Sequence, residues 1–237
     1  MSRVVGIMPV WQRYKLTDAV LEFYRRELPG VKFILIGDEP QHASIAKKYG
    51  HTFVTCRNDD LTEKWQEGVA AACMHGYPDM TILIGSDDLL SRKFMLHNVD
   101  QIKNKNALFI GTKDYYFYDT VNQQLKYWAG YTNTRAGETV GAGRSFSKEF
   151  MKIVRGKLFQ GLGTDDALNQ QKIMEVQESY PERMVVFKMQ DKGIIGIGIK
   201  TELQATAIEN LDLSLGDETL ISSNFDDEFH RTLKNAK

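Results

Sequence analysis

The chain has 237 residues, 42% apolar and 26% charged, with 30 Lys+Arg against 31 Asp+Glu. This length and balance suit one large or two small globular domains and exclude a disordered chain, a collagen or a simple repeat. A net charge of −1 excludes a protein that holds nucleic acid through bulk charge alone and leaves only a local basic face open.

Cys56 and Cys73 form neither a disulfide scaffold nor a zinc site, and they read as small buried apolar residues. No run approaches the roughly 18–20 apolar residues of a membrane helix, and the N-terminus lacks a signal-peptide pattern. A soluble, cytoplasmic protein is expected.

In chain order, Val4 to Val10 is a short β-branched run and predicts a buried strand. Thr17 is a candidate N-cap, and Ala19, Val20, Leu21, Phe23 and Tyr24 follow on helical spacing until Leu28-Pro29-Gly30 stops them. Val31 to Ile36 predicts a second strand, Pro40 to Tyr49 a short helix closed by Gly50, and Thr52 to Cys56 a third strand. Leu61 to His75 predicts a helix. Met80 to Ile84 predicts a fourth strand that ends at Gly85-Ser86-Asp87-Asp88. Apolar strands alternating with helices argue for a parallel sheet covered on both faces. Right-handed crossovers then bring the strand C-termini to one edge, where ligands bind in such sheets.

The pattern changes after Lys113. Asp114 to Tyr131 predicts an aromatic-rich β-hairpin, followed by a Gly-containing loop over residues 132–143 and a helix from Ser147 to Arg155. A Gly-rich loop, Gly156 to Thr164, leads to a helix opening at Thr164-Asp165-Asp166, and Met184 to Met189 predicts a further strand. Gly193 to Ile199 alternates Gly and Ile, and the tail from Leu211 carries acidic runs and a last helix. A single domain is expected, with a binding half at 1–112, a second half at 113–210 and a tail at 211–237.

The strongest chemical signal is the apolar strand that delivers Asp87 and Asp88 to the binding edge. Hard carboxylate oxygens suit Mg²⁺ or Mn²⁺, which bridge protein to nucleotide phosphates. The same acids could instead cap the next helix. Asp165 and Asp166 likewise read either as first-turn acids of a helix or as a general base on an acceptor hydroxyl. No G-x-x-x-x-G-K-[ST] and no G-x-G-x-x-G after the first strand is present, which weighs against P-loop and dinucleotide-binding enzymes. No H-E-x-x-H spacing occurs among the five histidines.

The order of these features resembles the GT-A fold glycosyltransferases, in the neighbourhood of family 2, over about Val4 to Thr201. The matching residues are Pro9, Trp11 and Arg13 after the first strand; Gly37-Asp38-Glu39 after the second; Lys64-Trp65-Gln66-Glu67-Gly68; Ser86-Asp87-Asp88; Gly141-Ala142-Gly143-Arg144-Ser145-Phe146; and Thr164-Asp165-Asp166. The resemblance implies an α/β fold with a mixed, mostly parallel Rossmann-like sheet. It also implies metal-assisted, inverting transfer of a sugar from a nucleoside-diphosphate sugar, a UDP-sugar favoured.

By the same resemblance, Pro9, Trp11 and Arg13 line the nucleotide pocket, with Ser86 and Asp87 on the donor side, and Asp38 accepts from the base. Lys64 approaches the phosphates, and Asp88 with Asp87 or Ser86 holds Mn²⁺ or Mg²⁺. Asp166, with Asp165 as the alternate, is the base. Two departures stand out: Ser86 where the family's motif opens with Asp, and Asp165 where its second pair has Glu.

Tyr116, Tyr118 and Trp128 in the hairpin either stack on an acceptor or simply fill a half-buried sheet. Arg144, Lys148, Lys152 and Arg155 recur at helical spacing, with Lys157 beyond. They form either a solvated face or an acceptor-side ridge for a phosphate backbone. The ridge reading resembles the transferases with which phages decorate hydroxymethylated DNA bases. Two other classes remain open: a sugar-phosphate nucleotidyltransferase and a non-catalytic nucleotide-sugar or nucleic-acid binding module.

Overall fold

Four short apolar segments set the architecture: β1 (Val4–Pro9), β2 (Lys32–Gly37), β3 (Thr52–Thr55) and β4 (Met80–Leu83). They run parallel in the computed structural model, which describes residues 3–74, 76–160, 165–201, 211–225 and 227–236. Successive side chains of a strand point to opposite faces, and both faces here are apolar. Val4, Met8, Phe33, Leu35, Met80 and Ile82 join one core cluster, while Val5, Ile7, Ile34, Ile36 and Leu83 join the other.

Helix α1 (Tyr14–Glu27) covers the first face with Leu16, Val20, Phe23 and Tyr24. Helix α3 (Leu61–Met74) covers the second with Val69 and Ala72. A Cβ at Gly68 of α3 would meet Ile7 at 2.5 Å and Ile36 at 2.7 Å, so only glycine allows this approach to the sheet. Between them, α2 (Pro40–Lys48) carries Pro40 in its first turn, as expected for a residue that lacks an N–H.

The sheet has seven strands in the order β10-β6-β9-β4-β1-β2-β3, with β6 at Phe109–Thr112, β9 at Ser145–Ser147 and β10 at Met184–Phe187. It is not wholly parallel: β9 lies antiparallel between β4 and β6. Strands from beyond residue 112 therefore complete the sheet that the first half begins. Helix α4 (Arg92–Lys105), the helix that follows the acidic segment, links it to β6.

A second sheet has the order β12-β8-β7-β11-β5. It comprises β5 (Asp88–Leu90), the hairpin of β7 (Tyr115–Asp119) and β8 (Gln124–Trp128), β11 (Gly196–Lys200) and β12 (Leu213–Leu215). One short turn, Ile84 to Asp87, carries the chain from β4 in the first sheet to β5 in the second. The remaining helices are α5 (Lys148–Ile153), α6 (Asp165–Ser179), α7 (Met189–Lys192), α8 (Thr219–Phe225) and α9 (Glu228–Ala236). Among the described residues no helix is long and apolar enough to cross a membrane.

Two local expectations are corrected. Thr17 does not cap α1: the helix begins a turn earlier, at Tyr14, because Gln12 and Arg13 both adopt left-handed backbone (φ 50° and 45°) and reverse the chain there. Neither Asp87 nor Asp88 caps a helix. Asp88 opens β5, and the cap of α4 is Ser91, whose Oγ accepts from the Phe94 amide at 3.2 Å.

Candidate active site

The acidic pair sits where the two sheets meet. Beyond β4 the chain turns at Gly85, and the Asp88 amide donates to the Gly85 carbonyl. A Cβ at Gly85 would stand 2.7 Å from Asp88 Oδ2 and 3.0 Å from Asp87 Oδ1, so both carboxylates converge over this glycine. Asp88 is fixed from three sides. The Gly85 amide donates to its Oδ2 at 2.7 Å, the Tyr115 hydroxyl donates to its Oδ1 at 3.0 Å, and the Tyr24 hydroxyl donates to its carbonyl at 3.0 Å. Tyr24 in turn accepts from the Leu90 amide at 3.0 Å, tying α1 to the acidic turn.

Burial, then the neighbouring Asp87 charge, raises the Asp88 carboxyl to about 6. For Asp87 burial acts the same way, but Lys200 and Arg13 outweigh it and hold the carboxyl below its ordinary value. Arg13 Nη1 lies 3.2 Å from Asp87 Oδ2, Lys200 Nζ lies 3.5 Å from the same oxygen, and Arg13 Nη2 donates to Ser86 Oγ at 3.3 Å. Two converging hard carboxylates, one of them kept high by the other's charge, fit a divalent cation, which would relieve that repulsion. Among the described residues no group of three or more His, Cys, Asp and Glu is placed to hold a metal ion.

Along the same sheet edge, Glu39 organises the loop after β1. Its carboxylate accepts from the Gln12 amide at 2.8 Å and from the Tyr14 hydroxyl at 2.7 Å, and lies 3.1 Å from His42 Nδ1. This anchors the two consecutive left-handed residues, a backbone strain that persists only where surroundings enforce it. Pro9 ends β1, and Trp11 stands 57% exposed beside it. Asp38, exposed after β2, accepts from Asn58 Nδ2.

Lys64 is buried. Its ammonium donates to the Val10 carbonyl and to Asn58 Oδ1, both at 2.6 Å, and burial lowers it from the ordinary lysine value. Lys64 therefore ties the ends of β1 and β3 together and, through Asn58, orients Asp38.

A cavity of about 130 Å³ opens beside Asp88, lined by Trp65, Gly85, Gly141, Arg144 and Phe159 among others. Trp65 and Phe159 stack in it at 5.8 Å, their planes 13° apart. Arg144 is 1% exposed: Nε donates to Thr139 Oγ1 at 3.0 Å, Nη1 to Asn169 Oδ1 at 2.9 Å and Nη2 to Gln170 Oε1 at 3.3 Å. It thereby ties α6 to this wall.

The structure thus brings Pro9, Trp11, Arg13, Asp38, Lys64, Ser86, Asp87 and Asp88 to one edge. Asp165 and Asp166 open α6, the helix that Arg144 anchors, and their side chains lie outside the described residues, as does Thr164. The acceptor-side reading of the basic ridge is corrected, and Lys148, Lys152, Arg155 and Lys157 stand as exposed charges. Arg144 is interior, and Lys148 lies at the opposite end of β4, where its amide donates to the Asp79 carbonyl and it lines a larger cavity of about 380 Å³.

The aromatic acceptor platform is also corrected. Tyr116, Tyr118 and Trp128 are 2%, 8% and 7% exposed and pack against Tyr127, Phe229 and Tyr131. Sequence reasoning missed Lys200, Tyr115 and Tyr24, and it named Glu39 only as part of the Gly37-Asp38-Glu39 segment. Only Lys200 had a signal, as a charge closing the apolar run Gly196-Ile197-Gly198-Ile199.

No protein-family model matches the sequence, and no curated protein is recognisably similar to it. Solved structures do match. Glucosyl-3-phosphoglycerate synthase from Mycobacterium tuberculosis, in complex with Mn²⁺, UDP and glucosyl-3-phosphoglycerate, superposes with a TM-score of 0.57 at 9% identity, over 87% of this chain and 75% of that one. S. aureus TarS 1–349 in complex with UDP-GlcNAc superposes with a TM-score of 0.58 at 13% identity, over 98% and 72%. The chain has the GT-A fold. This accounts for the placement of the acidic turn: in α/β sheets of this kind the ligand edge is the one at the strand C-termini, where Asp87 and Asp88 stand.

Proposed function

We propose that the protein is a glycosyltransferase that moves a sugar from a nucleoside-diphosphate sugar, a UDP-sugar favoured, to an acceptor hydroxyl. The carrying observation is the buried Asp87–Asp88 pair at the C-terminal edge of the sheet, flanked by Arg13 and Lys200 and reached from the exposed Asp38 along one surface. The GT-A neighbours bound to UDP, UDP-GlcNAc and Mn²⁺ support the same reading.

Asp38, an acceptor-only group held by Asn58, takes an N–H of the base, and Trp11 offers a face for stacking. Asp87 and Asp88 would hold Mn²⁺ or Mg²⁺, which supplies Lewis-acid stabilisation of the departing diphosphate. In the transfer, the acceptor oxygen bonds to the anomeric carbon as that carbon's bond to the diphosphate oxygen breaks. The bonding pair leaves on the nucleoside diphosphate, and the acceptor's proton passes to a carboxylate of α6, Asp166 or Asp165, for an inverting reaction. The buried Arg144 lines the cavity beside Asp88 and donates to Asn169 and Gln170 of α6, the helix that opens with both candidate bases.

The test is a thermal-shift screen with UDP, GDP, CDP and their common sugar conjugates, each with and without Mn²⁺. A ligand of the folded state raises Tm by mass action. Stabilisation by one diphosphate that grows with Mn²⁺ and disappears in Asp88→Asn is expected. No shift with any of them on a folded protein overturns the proposal. Product analysis separates glycosyl transfer, which releases a nucleoside diphosphate, from nucleotidyl transfer, which releases pyrophosphate.

A further inference from the structure

The second sheet sets the place of Lys200. Gly198 of β11 pairs with Asp88 of β5, and the Ile199 amide donates to the Asp87 carbonyl at 2.8 Å. The next residue, Lys200, closes β11 in register with Asp119 of β7 and lies beside the acidic pair. Its Nζ lies 5.2 Å from the Phe117 ring centroid and 3.5 Å from Asp87 Oδ2, the oxygen that Arg13 Nη1 approaches to 3.2 Å from the loop after β1.

Arg13 and Lys200 therefore face the Asp87–Asp88 pair from two sides, and a diphosphate drawn to that pair by a divalent ion would bring further negative charge within reach of both cations. Their donors are also incompletely engaged. Arg13 Nη1 is buried and has no aligned acceptor among the described residues. The Lys200 ammonium has three donors, and its one described hydrogen bond, to Asp87, is at the long limit. The two side chains are 20% and 18% exposed, open enough to meet a ligand at the sheet edge.

Resting on the donor reading above, we infer that Lys200, together with Arg13, binds the diphosphate of the donor and that Lys200 is a catalytic cation for the leaving group. Phosphate oxygens supply acceptors for the donors that Asp87 leaves incompletely engaged. As the bond from the anomeric carbon breaks, the electron pair settles on a diphosphate oxygen. Lys200 stabilises that charge while staying protonated, so its role is electrostatic rather than acidic.

Calorimetric titration of the full chain tests this, pairing uridine with UDP and guanosine with GDP, each with and without Mn²⁺, for the wild type, Lys200→Gln and Lys200→Arg. The diphosphate that binds is expected to lose about tenfold or more in affinity in Lys200→Gln, equivalent to about 1.4 kcal/mol. It should recover to within a few-fold in Lys200→Arg, while the matching nucleoside binds all three proteins alike. Equal losses for nucleoside and diphosphate would make Lys200 merely structural and overturn the inference. Unchanged diphosphate affinity in Lys200→Gln overturns it too, with the donor reading left standing. A wild type that binds none of the four probes, with or without Mn²⁺, overturns the donor reading itself and the inference with it.

Discussion

The two sheets use the same kinds of side chain in opposite ways. In the seven-stranded sheet the parallel strands bury mainly apolar side chains, and the chemistry begins where they stop: Arg13 beyond β1, Asp38 beyond β2, Asn58 beyond β3, Asp87 beyond β4. In the five-stranded sheet, Tyr116 and Tyr118 lie within β7 and Trp128, at the end of β8, is paired on both sides by Tyr115 and Leu213, and all three disappear into the core. Position relative to a strand end, rather than residue type, separates a residue available to a ligand from one committed to packing. A strand end frees the side chain from the ladder. A mid-strand aromatic in a covered sheet has neighbours on every side.

The largest effect expected from this contrast is on stability. Trp128→Ala or Tyr116→Ala should cost about 3–5 kcal/mol, the usual range for truncating a buried aromatic, measured by urea denaturation of the purified protein. Nucleotide affinity per folded molecule should not change. An acceptor platform would give the reverse, a stable protein with weakened acceptor binding, and that outcome would break the distinction between the sheets.

Asp88 sharpens the contrast, because it belongs to both regions, ending the acidic turn and opening β5. Its carboxyl titrates at about 6 in the folded chain against an ordinary 3.8. Folding therefore takes up protons between those values, and stability declines as pH rises through that window. Asp88→Asn should remove the penalty. The metal-free variant is expected to be more stable than wild type at pH 7.5, by about 3 kcal/mol, and equal to it below pH 3.8, the difference developing between pH 3.8 and 6 and constant above that. The same substitution should abolish stabilisation by Mn²⁺ with nucleotide. Thermal melts across pH, with and without Mn²⁺, decide it. A variant less stable than wild type at pH 7.5 would mean that the hydrogen bonds from Tyr115 and Gly85 outweigh the burial of charge.

The parallel half was legible in the sequence because its signals are local. Apolar runs bounded by Pro, Gly and caps gave β1 to β4 and the helices between them, and the polar residues after those runs gave most of the sheet-edge set. What was not legible depends on partners distant in sequence. Strand β9 is three residues inserted antiparallel between β4 and β6, a pairing with no periodicity to reveal it. Arg144 reads as one member of a basic helical face, yet it precedes the helix and is held inside by Thr139, Asn169 and Gln170. Tyr24 and Tyr115 look like ordinary core aromatics until their hydroxyls are seen to converge on Asp88, from α1 and from β7.

Trp11 carries the smallest expected change in stability and the converse of the Trp128 experiment. It is a large aromatic that the fold leaves 57% exposed, one residue past the buried Val10 and immediately before the strained Gln12–Arg13 turn that Glu39 anchors. Nothing in the packing requires an indole there, so Trp11→Ala should shift stability by less than about 0.5 kcal/mol. If the exposed ring serves the base, the same substitution should weaken uridine or guanosine binding by about 1–3 kcal/mol, the usual worth of a base stacked on an aromatic. The loss should be the same for nucleoside and nucleoside diphosphate, because stacking does not involve the phosphates. Lys200→Gln should divide the two ligands and Trp11→Ala should not, so titrating both variants with the same pair of ligands resolves the sheet edge into a base end and a phosphate end. Equal nucleoside affinity in Trp11→Ala and wild type would move the base elsewhere along the edge, toward Asp38 alone.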